Sequence, residues 1–328
     1  INLLLYMLFK NIITKRVFYK PITMDIEPTT GCNFRCTMCQ VSSLGFESKN
    51  MTLKTFETLI SNNPQLIKVK LQGMGEPLVN KYFFEMINIC SENGIFVETV
   101  TNGSLLNSKN IEKIIDAKSI YRVSISIDGA TNKTFEEIRV KSNFDVVKNN
   151  VRDLSKKIKL HKKNIELRAL CLVQKSNFHE FEDIIILCKE MGFIELNFQV
   201  QLTGWGKDEW EKKNIENDIN FNENDKKEEL LAITKKYNNN FFKVSIVQEN
   251  LLSEDNKCSY PWHNPYISAE GKVVPCCMIA DPKVVNFGDI NDKNFNDIWN
   301  SGEYMNFRKT ITDHKLNDFC KNCYKEKR

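Results

Sequence analysis

The chain has 328 residues, enough for one large α/β domain with an extension or for one large and one smaller domain. Hydrophobic residues make up 41% and charged residues 27%, and the formal net charge of +4 is small for this length, which argues against a nucleic-acid-binding surface. No stretch reaches the roughly eighteen apolar residues of a membrane span, and the 11 cysteines come without a secretion signal, so metal ligation or catalysis explains them better than a disulfide framework.

Residues 1–20 form an apolar extension. The run from Ile1 to Phe9 is too short to span a bilayer, lacks the small-residue pattern of a cleaved signal, and is followed by Lys10, Lys15, Arg16 and Lys20. It is expected to pack on the main domain, with a membrane-surface or partner anchor as the alternative. Between residues 21 and 206, β-type runs at 23–27, 67–71, 96–100, 122–127, 165–173 and 194–202 alternate with amphipathic segments. Apolar residues recur at helical spacing in Leu53, Phe56, Leu59 and Ile60, in Phe144, Val147, Val151 and Leu154, and in Phe181, Ile184, Ile185 and Cys188. Strands separated by helices predict βαβ units and a parallel sheet. Six repeats without a clear seventh predict an incomplete TIM-like (β/α)6 barrel in the α/β class, with its site at the C-terminal ends of the strands. Residues 207–250 read as a polar connection plus one helix, and residues 251–328 as a small metal-stapled domain.

Directly after the first predicted strand stands Cys32-Asn-Phe-Arg-Cys36-Thr-Met-Cys39. Three thiolates at this spacing can ligate three irons of an iron–sulfur cube and leave the fourth open to a ligand. A zinc site would more often show paired C-x2-C units supplying four ligands. After the second strand comes Gly73-Met74-Gly75-Glu76-Pro77, where glycines let the backbone approach a ligand closely. The third strand ends in Thr101-Asn102-Gly103. In the fourth, Ser124, Ser126 and Asp128 alternate with Val123, Ile125 and Ile127, so the polar set points to one face.

On these residues the chain resembles the radical SAM superfamily over roughly residues 20–205. The resemblance implies a [4Fe–4S] cluster on Cys32, Cys36 and Cys39, whose open iron chelates S-adenosylmethionine (SAM). In that family one electron cleaves the sulfonium bond and gives a 5′-deoxyadenosyl radical that takes hydrogen from carbon, while the protein binds, orients and shields. Carried over by position, Met38 lies against the adenine, and Gly73, Gly75 and Glu76 meet the methionine amino group. Met74 stands where the family motif has a second glycine. Asn102 and Ser126 are further expected SAM contacts, and Arg168 a partner for its carboxylate. The same resemblance implies an electron donor such as flavodoxin or ferredoxin and a cytoplasmic setting.

In the tail, Cys258 is followed by twelve residues, Gly271, four residues and Cys276, and later by Cys320-x2-Cys323. Four thiolates suffice for a second [4Fe–4S] cluster or a structural zinc. Together with Phe287-Gly288-Asp289-Ile290 and Asp297-Ile298-Trp299, this spacing resembles the SPASM/twitch extension of radical SAM proteins. The five residues after Cys323 fit the shorter twitch version with one auxiliary [4Fe–4S] cluster. Cys277, beside ligand Cys276, is a candidate hydrogen-atom donor to a substrate radical, against the reading of a small buried residue. Cys90, Cys171 and Cys188 are expected in the core. His161, His179, His263 and His314 form no metal spacing, and Gly204-Trp205-Gly206 is either a plain or a substrate-facing loop. The expected activity is radical C–H chemistry, dehydrogenation or epimerisation, on a small sugar- or aminocyclitol-like molecule. The alternative is maturation of a ribosomally made peptide or a protein side chain, and a non-catalytic iron–sulfur or zinc protein is the reading from another class. Only about thirty residues precede Cys32, leaving no room there for a fused peptide-recognition domain, which favours the small molecule.

Overall fold

Seven parallel strands run side by side in chain order: β1 (Thr23–Ile26), β2 (Lys68–Leu71), β3 (Phe96–Thr101), β4 (Ile120–Ser126), β5 (Glu166–Leu172), β6 (Glu195–Gln199) and β7 (Lys243–Val247). The computed structural model describes residues 2–10, 12–42, 48–200, 202, 204–219, 224–247, 258–321 and 323. A helix, α1 (Asn2–Phe9), precedes the sheet. Between the strands lie α2 (Leu53–Ser61), α3 (Phe83–Glu92), α4 (Ser108–Asp116), α5 (Asn132–Ile138), α6 (Phe144–Leu160), α7 (Phe181–Met191), α8 (Asp208–Asn217) and α9 (Asn224–Tyr237). Local chemistry sets their ends. Thr52, Asn107, Thr131 and Asn143 each cap a helix by accepting a hydrogen bond from the amide three residues on. Helix α7 stops at Gly192, whose left-handed φ of 86° costs glycine little.

The apolar stripes expected on α2, α6 and α7 are buried except for the half-buried Leu53, and Cys90, Cys171 and Cys188 are buried too. Strand β5 alternates as a two-faced strand should: Leu167, Ala169 and Cys171 are buried, while Glu166, Arg168 and Leu170 are half-buried on the other, lumen face. The molecule is a partial barrel.

Two features go beyond the expected architecture. The barrel has a seventh parallel strand, β7, inside the segment read as a polar connection with one helix. Its sequence, Lys-Val-Ser-Ile-Val after Phe241-Phe242, does carry a β-type apolar run, although only Val244 of the five strand residues is buried. The tail also joins the sheet. Strand β8 (Tyr266–Ile267) pairs in parallel with β1, and β9 (Val273–Val274) pairs antiparallel with β8. Trp262, Ile267, Val273, Ile298 and Trp299 share one hydrophobic cluster with Met24 and Ile26, so the tail is built onto the barrel's core as well as around its cysteines. Two-residue strands show no periodicity from which this could be read. The part of the sixth predicted strand at Gln201 lies outside the described residues.

The sheet order is β9-β8-β1-β2-β3-β4-β5-β6-β7, and its two end strands each have one neighbour among the described residues. The barrel floor is ionic. Glu98 meets Lys70 at 3.7 Å and Arg122 at 3.0 Å, Arg122 meets Glu166 at 2.7 Å, and Arg168 meets Glu166 at 2.8 Å and Glu195 at 3.2 Å. Except for Lys70, these residues lie in the N-terminal halves of their strands, so the ladder sits low in the lumen and leaves the C-terminal ends free for a site.

Candidate active site

The three-cysteine loop leaves β1 and is pinned by long-range pairing. Arg35–Cys36 forms a two-residue antiparallel ladder with Arg139–Val140. This places the Arg139 guanidinium 3.9 Å from Cys36 Sγ and 2.6 Å from the carboxylate of Asp128, which is fully buried just beyond the end of β4. The backbone N–H of Phe34 donates to Cys32 Sγ at 3.4 Å, and that of Val41 donates to Cys39. Burial pushes all three thiols up, Cys36 to about 12, while the positive charge of Arg139 pulls each of them down. Thiols that keep their protons at ordinary pH, grouped around a buried cation, form a donor set that a bound metal would ionise. A cavity of about 240 Å³ lined by Thr30, Gly31, Cys32 and Arg35 opens beside them. Among the described residues no three His, Cys, Asp or Glu side chains converge as a single ion requires. In a cubane each thiolate meets a different iron, so the cysteines stand further apart.

The glycine loop has a separate reason for each of its glycines. A Cβ on Gly73 would lie 2.2 Å from Cγ of Glu27, and one on Gly75 would lie 2.3 Å from the carbonyl oxygen of Gly31. Between them Met74 donates its N–H to Glu27 Oε1 at 2.8 Å. Glu76 is buried and held still, accepting from Thr101 Oγ1 at 2.6 Å and from the Asn102 amide at 2.7 Å, and burial raises its carboxyl to about 6. The Asn102 side chain donates to Asn33 Oδ1 at 2.9 Å and accepts from Ser104, tying the end of β3 to the cysteine loop. Met38 is buried and Ser126 half-buried. Ser126 pairs in register with Leu170, whereas Arg168 lies one lumen layer lower, opposite Ser124. Its terminal nitrogens pair with Glu166 and Glu195, while its Nε is buried without a hydrogen-bonding partner among the described residues; the guanidinium of Arg139 is set among the thiols. Gln40 Oε1 and Arg139 Nε are buried and lack a hydrogen-bonding partner among the described residues.

Sequence reasoning missed Glu27 and Arg139. Arg139 lies 103 residues from Cys36 and had no local signal. For Glu27 the signal was there: an acid at the C-terminal end of a barrel strand, the position where such folds place functional groups. Glu27 accepts from Met74 with one oxygen and from Ala269 of the tail with the other at 3.0 Å, and Tyr266 faces it. Burial lifts its carboxyl from 4.5 to about 7. The folded chain therefore holds this proton where the unfolded chain has lost it, and the associated stability, full below about 4.5, is lost as the pH rises through about 7. The stability of the wild type minus that of Glu27→Gln should fall between about pH 5 and 8, by up to about 1.4 kcal/mol per unit. Anaerobic urea midpoints across that range test it, and a flat or rising difference would mean that Glu27 is ionised in the fold.

In the tail, Cys258 and Cys323 both act electrostatically on Cys276 and on Cys320, so the four expected ligands come together. Cys277 is half-buried and hydrogen-bonds Tyr260. Both Cys277 and Met74 of the glycine loop pack against the small cluster of Tyr266, Val274 and Ala280, which brings the tail against the first site. His263 packs between Tyr6 and Tyr19. The Gly204-Trp205-Gly206 loop abuts the tail, with the Cα of Gly206 facing Phe319.

Residues 26–188 match the radical SAM superfamily, and residues 258–324 match the SPASM iron–sulfur cluster-binding domain. The chain is a radical SAM enzyme with a C-terminal SPASM domain. It is 26% identical over 317 residues to the AdoMet-dependent heme synthase of Methanosarcina barkeri, covering 90% of this chain and 86% of that one. It is 22% identical over 326 residues to the PqqA peptide cyclase of Bradyrhizobium diazoefficiens, covering 97% of this chain and 82% of the relative. Among solved structures, Streptococcus suis SuiB bound to its precursor peptide SuiA shares the fold with a TM-score of 0.70 at 14% identity. That match covers 87% of this chain and 66% of SuiB, so the chain spans just under two thirds of SuiB's length. The sugar-like substrate expected from the sequence finds no support in these three proteins, two of which are named for peptides.

The cofactors of this radical SAM enzyme are a [4Fe–4S] cluster and SAM, with further iron–sulfur in the SPASM domain. The residues present fit them: one buried and two half-buried thiols near a guanidinium, two glycines where a side chain would clash, and two buried polar atoms with unused capacity. Together the bound cofactors supply hydrogen-atom abstraction from an unactivated carbon. The chain's own part is to balance thiolate charge with Arg139, to present a fixed Glu76 carboxylate, and to keep the glycine loop close against the cysteine loop. No helix of the described residues is long and apolar enough to cross a membrane.

Proposed function

We propose that this radical SAM enzyme is a maturase, modifying a side chain of a peptide or protein by C–H abstraction. The reading rests on the sheet order, in which β7 and β9 are end strands with one neighbour each among the described residues, the side from which a length of polypeptide would enter. The likeness to a peptide cyclase over 97% of the chain supports it. In this reading Met38, Gly73, Gly75, Glu76, Asn102 and Ser126 line the SAM site, Arg168 serves the ionic floor, and a flavodoxin or ferredoxin delivers the electron. Cys258, Cys276, Cys320 and Cys323 hold one auxiliary [4Fe–4S] cluster, giving about eight irons per chain. To test the substrate class, the reconstituted, reduced enzyme is given SAM and either the protein or the small-molecule fraction of source-cell extract. The protein fraction should stimulate 5′-deoxyadenosine formation and lose that effect after protease treatment. Stimulation confined to the small-molecule fraction would reject the maturase reading.

Cys277 takes the role of hydrogen-atom donor from the tail to the substrate radical, giving a product with an inverted carbon; the thiyl radical left on Cys277 is returned to the thiol by a second electron from the flavodoxin or ferredoxin and a proton from water. Cys277→Ala should still form 5′-deoxyadenosine, yet lose the inverted product and its solvent-derived hydrogen. Full turnover to the native product by that variant would remove the role.

A further inference from the structure

Helix α1 has no polar face. Its inner side, Leu5, Tyr6 and Phe9, packs on the core, with Tyr6 edge-on to Tyr19 at 5.2 Å. Reciprocal hydrogen bonds between Asn2 and the backbone of Lys20, at 2.7 and 3.1 Å, fix its start. Its outer side is Leu3, Leu4, Met7 and Leu8, and the surface continues through Ile12 and Phe18, all of them 47–62% exposed. A helix apolar all round is normally buried on every side, so this one lacks a second apolar environment. The same segment carries Lys10, Lys15, Arg16 and Lys20, all exposed, and no acidic residue precedes Asp25. The local charge of +4 equals the net charge of the whole chain.

We propose that α1 and the segment after it seat the enzyme on an anionic membrane surface, with the outer leucines and Met7 in the acyl boundary and the four cations at the headgroups. Charge decides between occupants. A second copy would bring two such basic patches together, whereas an anionic bilayer satisfies the apolar face and the cations at once. The outward face of a single helix is convex, suited to insertion at an interface. Such a two-signal contact is reversible, with each cation near an anionic surface strengthening it about fivefold.

The test is co-sedimentation of the full reconstituted chain with vesicles of phosphatidylcholine alone or mixed with phosphatidylglycerol. Binding is expected to the mixed vesicles, at least about tenfold weaker to phosphatidylcholine or in high salt. The Leu4→Glu/Leu8→Glu variant should lose it while keeping its iron–sulfur absorption, because both side chains are exposed. If that variant fails to fold, Lys15→Glu/Arg16→Glu, also at exposed positions, should weaken binding by at least about tenfold. No binding to the mixed vesicles would overturn the proposal. So would binding that the folded variants leave unchanged, or a concentration-dependent dimer that they abolish.

Discussion

Replacing Arg139 with methionine should destabilise the folded chain by about 3–5 kcal/mol and cost it the first cluster. The guanidinium is 9% exposed and its partner Asp128 is fully buried, with nitrogen and oxygen 2.6 Å apart. Removing one member of such a pair strands the other charge away from water, and that penalty exceeds the net worth of the pair itself. Asp128 is placed by more than the ion pair: its carboxylate also accepts from the Leu172 amide at 2.8 Å, and its backbone carbonyl from Asn177 at 3.0 Å. It cannot turn toward solvent to recover hydration. Asp128→Leu should be comparably destabilising by the same argument, whereas Asp128→Leu/Arg139→Met should regain much of the loss, since both charges leave together. Iron retention should separate the single variants. Arg139 also lies beside Cys36, so its loss removes the cation that offsets the thiolates, while loss of Asp128 spares it. Anaerobic urea unfolding and iron per chain measure both effects, and an Arg139→Met variant with an unchanged midpoint and full iron would show that the pair is effectively solvated.

Arg139 also marks where sequence reading ends. The cysteine triplet, the glycine loop and the strand–helix alternation were legible because each is written in neighbouring residues, as a spacing or a period. What surrounds them is made by pairing between distant segments. The Cys36–Arg139 ladder and the Glu27–Ala269 hydrogen bond join positions more than a hundred residues apart, and no local pattern announces either. Arg168 shows the opposite limit. Its type and strand position suited a carboxylate ligand, but Glu166, two residues earlier on the same face of its own strand, and Glu195 of the neighbouring strand are both carboxylates that pair with it. Strand β7 was legible in Val244, Ile246 and Val247, a β-branched run that the long polar stretch before it obscured. Polar positions next to the chemistry were therefore the least predictable, since their partners are chosen by the fold.

Gly75→Ala should lower SAM-dependent 5′-deoxyadenosine formation about a hundredfold while the three-cysteine cluster stays in place. The added methyl would lie 2.3 Å from the Gly31 carbonyl oxygen, 2.5 Å from that of Thr29 and 2.7 Å from the carbonyl carbon of Thr30. All three are backbone atoms, so no rotamer change relieves the clash, and the two loops must separate. They are also hydrogen-bonded to each other, Gly75 N–H to Thr29 at 3.2 Å and Glu76 N–H to Gly31 at 2.9 Å. Separation by about an ångström, on the scale of a tight contact restored to normal, breaks both bonds and draws Glu76 away from Thr101 and Asn102. Gly73→Ala should be milder, because the atoms in its way belong to the Glu27 side chain, which has torsions to adjust even though it is buried. Gly302→Ala supplies the control: nothing lies within 4 Å of the added atom, and a helix-start glycine replaced without strain should leave activity unchanged and raise stability slightly, by about 0.4–1 kcal/mol. If, as proposed, the loop lines the SAM site and does not hold the irons, the defect in Gly75→Ala should appear in the KM for SAM and in turnover, with iron per chain and cluster absorption at wild-type values. Wild-type kinetics in that variant would show that the two loops part without consequence, and that Glu76 is not held in place by the backbone contact beneath it.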